Sequence, residues 1–206
     1  KPKRKCLSTA LRFLYQPLCL IKTIEIKMNF KEAQEDMRKS YLGGGPGAFA
    51  SGIVWLTAGI TALITTKQVS VIVFFFGGML IHPIGIMLSK ALKRSGKHKN
   101  GNPLSYLALE STFMLFIGLF IAYVTFQIRP NWFFPIMILI IGGRYLVFSS
   151  IYGMRSYWVF GTTLILSGVG GFLFNAPFHL IGLIGGIIEI LFSFIIVYLE
   201  KRKLNK

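Results

Sequence analysis

Aspartate is almost missing from this chain: Asp36 is the only one in 206 residues. Membrane aspartyl proteases and phosphotransferases built on clustered aspartates need several such carboxylates close together to bind and move protons, so both classes are excluded. Cysteine is nearly as scarce. Cys6 and Cys19 lie in the basic N-terminal stretch and no apolar segment contains one, which leaves disulfides and thiolate metal sites without a framework. The histidines His82, His98 and His179 fall on separate segments, and none has a second ligand at helical spacing, so neither a metal nor a cofactor is expected. Acidic groups are few overall: 7 Asp and Glu against 23 Lys and Arg, a formal net charge of +16.

Apolar sequence is what the chain has in abundance. It is 53% hydrophobic and only 15% charged, with a mean hydropathy of +0.62, more than one soluble core of this length hides from water. The basic residues sit between or beyond the apolar runs, which is a membrane-topology pattern and gives no reason to expect nucleic acid as a partner. Six runs near 47–66, 69–91, 104–126, 131–151, 157–175 and 179–199 each hold about 20 residues, enough to cross roughly 30 Å of hydrocarbon as a helix. Only a few residues separate the first from the second, the third from the fourth and the fifth from the sixth. The expected fold is therefore an all-α polytopic membrane bundle of six transmembrane helices in three hairpins.

Three regions follow from this reading: a basic N-terminal segment over 1–46, the six-helix domain over 47–199 and a basic tail over 200–206. The first methionine is Met28, and the sequence before it reads as upstream or accessory, with the protein proper starting there. The stretch from Leu7 to Ile21 is interrupted by Arg12, Gln16 and Pro17 and lacks a small-residue cleavage site, unlike a secretory signal. Residues 28–40 favour a short charged helix at the membrane surface, ended by Gly43, Gly44, Gly45, Pro46 and Gly47.

Lysine and arginine counts orient the bundle. Lys90, Lys93, Arg94, Lys97 and Lys99, then Arg155, then Lys201, Arg202, Lys203 and Lys206 lie on one side, against Lys67 and Arg129 on the other. The positive-inside rule puts the first group and both termini in the cytoplasm, at the cell membrane. Partner expectations are limited to the bilayer itself, with the loop from Lys90 to Lys99 offering a contact for anionic lipid headgroups. Trp132, Phe133 and Phe134 at one boundary and Tyr157 and Trp158 at the other read as aromatic anchors.

Ionisable residues inside the spans are the functional pointers, because charge at bilayer depth costs about 3 kcal/mol or more unless paired or hydrated. There are four: His82, Glu110, Arg144 and Glu189. Glu110 and Arg144 each lie about two turns from the basic ends of their helices, which makes them expected partners. His82 and Glu189 lie near the midplane and form a second expected pair able to hold or pass a proton. His82 precedes Pro83, whose missing amide frees the Met79 carbonyl and is expected to kink the helix. The second, fourth and sixth spans each carry a Gly-Gly pair (Gly77 and Gly78, Gly142 and Gly143, Gly185 and Gly186) followed by one of these residues. That pattern fits either a threefold repeated hairpin or close helix packing alone. Ser51 and Ser167 beside glycines, with His82 or His179, make only a weak match to a serine hydrolase, and no catalytic residue is assigned.

The stretch from Met28 through the Gly43 to Gly47 linker, the run Ile81, His82, Pro83, Ile84, Gly85, and the segment from Gly143, Arg144 and Tyr145 to Tyr152, Gly153, Met154 and Arg155 resemble a bacterial family of multi-pass membrane proteins known only as a domain of unknown function. The resemblance covers nearly everything after Met28 and implies a fold and a compartment, with no catalytic residues. Two functions stay open: a small-molecule or ion transporter of permease type with a polar path through His82, Arg144 and Glu189, or a noncatalytic membrane sensor, scaffold or accessory subunit. A hydrated cavity shared by the ionisable side chains favours the first; a dry bundle favours the second.

Overall fold

In a computed structural model, residues 28–204 are described; the basic stretch before Met28, with Cys6 and Cys19, lies outside them. Seven α-helices account for nearly all of the described chain. Helix α1 (Phe30–Tyr41) starts at Asn29, whose side chain caps it while the Glu32 carboxylate accepts from the Asn29 amide at 3.3 Å. Six helices long and apolar enough to cross a membrane follow: α2 (Gly45–Ile64), α3 (Lys67–Ala91), α4 (Leu104–Ile128), α5 (Phe133–Tyr152), α6 (Ser156–Leu173) and α7 (Phe178–Leu204). The fold is the expected all-α bundle, and the six ranges match the apolar runs to within a few residues. Pro83 sits inside α3, which continues past it as one helix.

The short connections expected between paired helices are present, but the most extensive packing joins other pairs. The first membrane helix, α2, packs most extensively against the last, α7, and nearly as closely against α3, while α5 packs closely on α6. Glycine explains the preference. Gly45, Gly52 and Gly59 recur at seven-residue spacing on α2, and a Cβ at Gly52 would meet Ile190 Cγ1 at 2.7 Å and the Gly186 carbonyl at 3.0 Å. Without side chains at these points the two backbones approach closely, which is what drives association where lipid supplies no hydrophobic effect. Gly142 and Gly161 make the same kind of contact between α5 and α6.

The Gly-Gly pairs therefore do not act as equivalent parts of a repeated hairpin. Gly77 packs on Val54 of α2, Gly142 on Gly161 of α6, and Gly185 on Trp55 of α2 and Ile138 of α5. Only the first of these contacts lies within the expected hairpin.

The aromatic anchors divide in two. Trp132 and Trp158 point outward as expected, but Phe133, Phe134 and Tyr157 are fully buried. Successive helical residues point about 100° apart, so neighbours in an aromatic run cannot all face the interface. The inward ones build the core: Trp55 meets Phe74 at 4.9 Å between centroids and Phe134 meets Phe178 at 4.7 Å.

Helix α1 is docked on the basic end of the bundle through Ala33, Met37 and Ser40, which form its buried stripe. Asn102 donates to the Ala33 carbonyl at 3.0 Å and to Asp36 at 2.8 Å, the Lys99 amide donates to Asp36 at 2.9 Å, and Gln34 donates to the Ser150 carbonyl at 2.7 Å. The single aspartate is thus a clamp for the loop between α3 and α4. A short turn, Leu42–Gly44, links α1 to α2 with three successive positive φ values of 50°, 64° and 83°. Glycine suits the last two of these positions, and at Gly44 a Cβ would also strike the Tyr157 hydroxyl at 2.6 Å.

Candidate functional site

Glu189 sits on α7 about three turns from its start, facing α2 and α5, and is completely buried. The Tyr145 hydroxyl of α5 donates to Glu189 Oε1 at 3.0 Å. Buried Ser51 of α2 lies beside the same carboxylate. The other oxygen, Oε2, has no hydrogen-bond donor among the described residues. A buried carboxylate oxygen without a donor is costly, so the site is held by the surrounding fold and not by its own bonds. The glycine contacts between α2 and α7 at Gly52, Gly186 and Ile190 close that interface around it.

Arg144, the neighbour of Tyr145 on α5, turns the other way. Its Nη2 donates to Thr112 Oγ1 of α4 at 3.1 Å, and its guanidinium lies over the Phe148 ring at 5.1 Å. Its Nε is buried without an acceptor among the described residues. Arg144 is within Coulombic range of Glu189 without touching it.

Neither expected pair forms. Glu110 and His82 are both exposed on the outside of the bundle, and neither makes a side-chain hydrogen bond or ion pair among the described residues. Position along a helix axis carries no information about which way a side chain points. The interior instead holds Glu189 against Tyr145 and Ser51, while half-buried Arg144 reaches Thr112 from another face of α5. Ser51 has a carboxylate and not a histidine at its side, and Ser167 donates back to the Thr163 carbonyl at 2.9 Å, so neither serine has the base a hydrolase needs.

An aromatic column leads from the carboxylate toward the basic end. The Tyr145 ring stacks on Phe160 of α6 at 4.0 Å and lies 5.9 Å from the Tyr157 ring. The Tyr157 hydroxyl in turn donates to the Gly43 carbonyl at 2.5 Å, in the turn between α1 and α2. Successive tyrosine and phenylalanine contacts thus connect the buried carboxylate to the turn that follows α1.

A cleft of about 440 Å³ opens between α3 and α4 on the outside of the bundle, lined by Val71, Phe75, Phe76, Phe116 and Phe120 among others. These two helices share little direct packing, and the cleft is apolar and apart from Glu189.

The model of a family of unknown function, DUF7010, matches residues 30–199, from the start of α1 to the outer part of α7. The chain belongs to the DUF7010 family. No curated protein and no solved structure matches it. Because the match begins at α1, the docked helix and its turn are part of what defines a DUF7010 chain, together with the six membrane helices.

The sequence did not single out Tyr145, Thr112 or Tyr157 as parts of a site, and Ser51 entered only as a weak nucleophile candidate. Tyr145 was within reach: a tyrosine next to an intramembrane arginine is a second polar tip in an apolar span and needs its own partner. The heptad glycines of α2 were also readable and would have identified α7's neighbour.

Proposed function

We propose that the basic face is cytoplasmic and that this membrane protein is a noncatalytic sensor, in which the state of Glu189 is passed to α1 on that face. The observation that carries this reading is the contact path from Glu189 through Tyr145 and the Phe160 and Tyr157 rings to the Gly43 carbonyl. A protonation or occupancy change at Glu189 alters the bond made by Tyr145, and Tyr157 is placed to transmit a shift of that ring to the turn that positions α1. Amide hydrogen exchange across residues 30–41, in nanodiscs, tests it. Replacing Tyr157 with Phe, or Glu189 with Gln, is expected to change α1 exchange about fivefold, the size of one hydrogen bond of about 1 kcal/mol. Unchanged α1 exchange in both variants overturns the reading.

A second reading, proton-coupled transport of permease type, is favoured by one different observation: Glu189 Oε2 and Arg144 Nε are both buried without partners among the described residues. Groups left open in this way suit a proton or small ligand that comes and goes. Proton flux into vesicles, read with a trapped pH-sensitive dye, is expected to be present with the native chain and abolished by Glu189→Gln under this reading. Equal flux in both sinks it.

A further inference from the structure

At the basic end of α7, Glu200 is almost fully buried, and Arg38 of α1 pairs with it through Nε at 3.2 Å. Lys203, Arg94 and Lys39 also lie within Coulombic range of this one carboxylate. Lys39 is engaged with Glu35 at 3.3 Å. Once Arg38 and Lys39 are matched, Arg94 and Lys203 remain as positive charge without a counterion among the described residues. Arg94 is the sharper of the two, because its Nε is shielded from solvent with no hydrogen-bond acceptor among the described residues. The loop holds Arg94 in place: its own amide donates to the Ser89 carbonyl at 2.9 Å, and the Gly96 amide donates to the Ser40 carbonyl of α1 at 3.0 Å.

The surroundings decide what kind of anion this corner suits. Met87 and Leu92 near the end of α3, and Tyr198 and Leu199 near the end of α7, are all exposed. Along the chain they precede Arg94 and Lys203 respectively, toward the apolar part of each helix. A group with negative charge next to apolar chains fits this arrangement better than a free ion, which would gain nothing from the apolar side chains. An arginine fork matches phosphate oxygens, and a lysine adds a compact second charge.

We propose that the corner formed by α1, the loop after α3 and the end of α7 binds the phosphate of an anionic lipid headgroup, with Arg94 and Lys203 as its ligands. This rests on the basic face lying at headgroup level, and is independent of whether Glu189 acts as a sensing group. Bound there, the lipid supplies the counterion that the surplus cations lack and helps hold α1 against α7.

The test is lipid selectivity of the purified full chain, measured by native mass spectrometry after extraction from vesicles of phosphatidylcholine mixed with phosphatidylglycerol. The native chain is expected to retain phosphatidylglycerol preferentially. Arg94→Gln and Lys203→Gln are each expected to lower that preference about fivefold, as expected for loss of one direct ion pair with the phosphate. Lys97→Gln, an exposed cation in the same loop, is expected to leave the preference unchanged. Arg94→Lys is expected to recover part of it. Lys203 is exposed near the end of the helix, so its variant reports on binding even if Arg94→Gln fails to fold. Full retention in Lys203→Gln overturns the proposal, as does an equal loss in Lys97→Gln, which would indicate diffuse attraction. Inorganic phosphate displacing the lipid as effectively as added phosphatidylglycerol overturns the lipid as the ligand and leaves a free-anion site.

Discussion

Removing the Tyr145 hydroxyl is the most informative single change at Glu189. Tyr145 is the one residue whose hydrogen bond to the carboxylate has a settled geometry, at 3.0 Å, while Oε2 has no donor among the described residues. Tyr145→Phe therefore leaves a fully buried carboxylate with its best donor gone. Leaving a buried polar group without its partner costs about 1–3 kcal/mol, so the unfolding equilibrium should shift by about 5- to 150-fold. Hydrogen bonds between membrane helices average only about 0.6 kcal/mol, which sets the competing expectation. Glu189→Leu removes the acceptor and leaves the buried Tyr145 hydroxyl unpaired, which should cost about 1–3 kcal/mol. In that background Tyr145→Phe should cost nothing, because the hydroxyl has already lost its acceptor. Reversible unfolding in mixed micelles, run on the four members of the cycle, gives the coupling directly. A coupling at or below about 0.6 kcal/mol would refute the claim that the Tyr145 hydrogen bond is stronger than an ordinary one between membrane helices.

Two other predictions concern the frame around the site. Gly52→Ala should destabilise the bundle by about 1–3 kcal/mol, because the added methyl meets α7 backbone atoms at 3.0 Å, whereas Gly78→Ala, with nothing within 4 Å, should stay within about 0.5 kcal/mol; denaturation midpoints of both variants check this. Burial pushes the Tyr41 hydroxyl above its ordinary range, against its hydrogen bond with His98 at 3.0 Å. A raised value in the folded state means the stabilisation is complete below about pH 10 and is lost as pH rises through the folded value. The protection of α1 amides relative to intrinsic exchange should therefore fall on the alkaline side of about pH 10, and Tyr41→Phe should remove that fall.

The membrane helices were legible because span length and hydropathy are properties of the chain alone. Their neighbours were not, since loop length fixes which helices are consecutive and leaves open which ones pack most closely. The glycines at 45, 52 and 59 contain the missing information about α2 and α7. For the site, the position of each residue along its helix was readable and its direction was not: His82 and Glu110 face outward, while Glu189 faces inward. Direction depends on which face of each helix is covered, and in this chain the spans are apolar on all sides, so no periodicity reveals it. Tyr157 shows the same limit, since its neighbour Trp158 looks equally apolar in sequence and points the opposite way.

The pairing of α2 with α7 has a consequence for how the protein is made. Helix α2 enters the bilayer first among the membrane helices, yet its glycine face finds its main partner only when α7, the last of the described helices, has been inserted. Through the whole of that interval the seam is covered by lipid or by other chains, and the contacts that enclose Glu189 do not exist. Assembly thus ends in a late, long-range closure added to the stacking of α2 on α3. A chain stopped before α7 would keep five helices capable of crossing the membrane and would lose the site entirely.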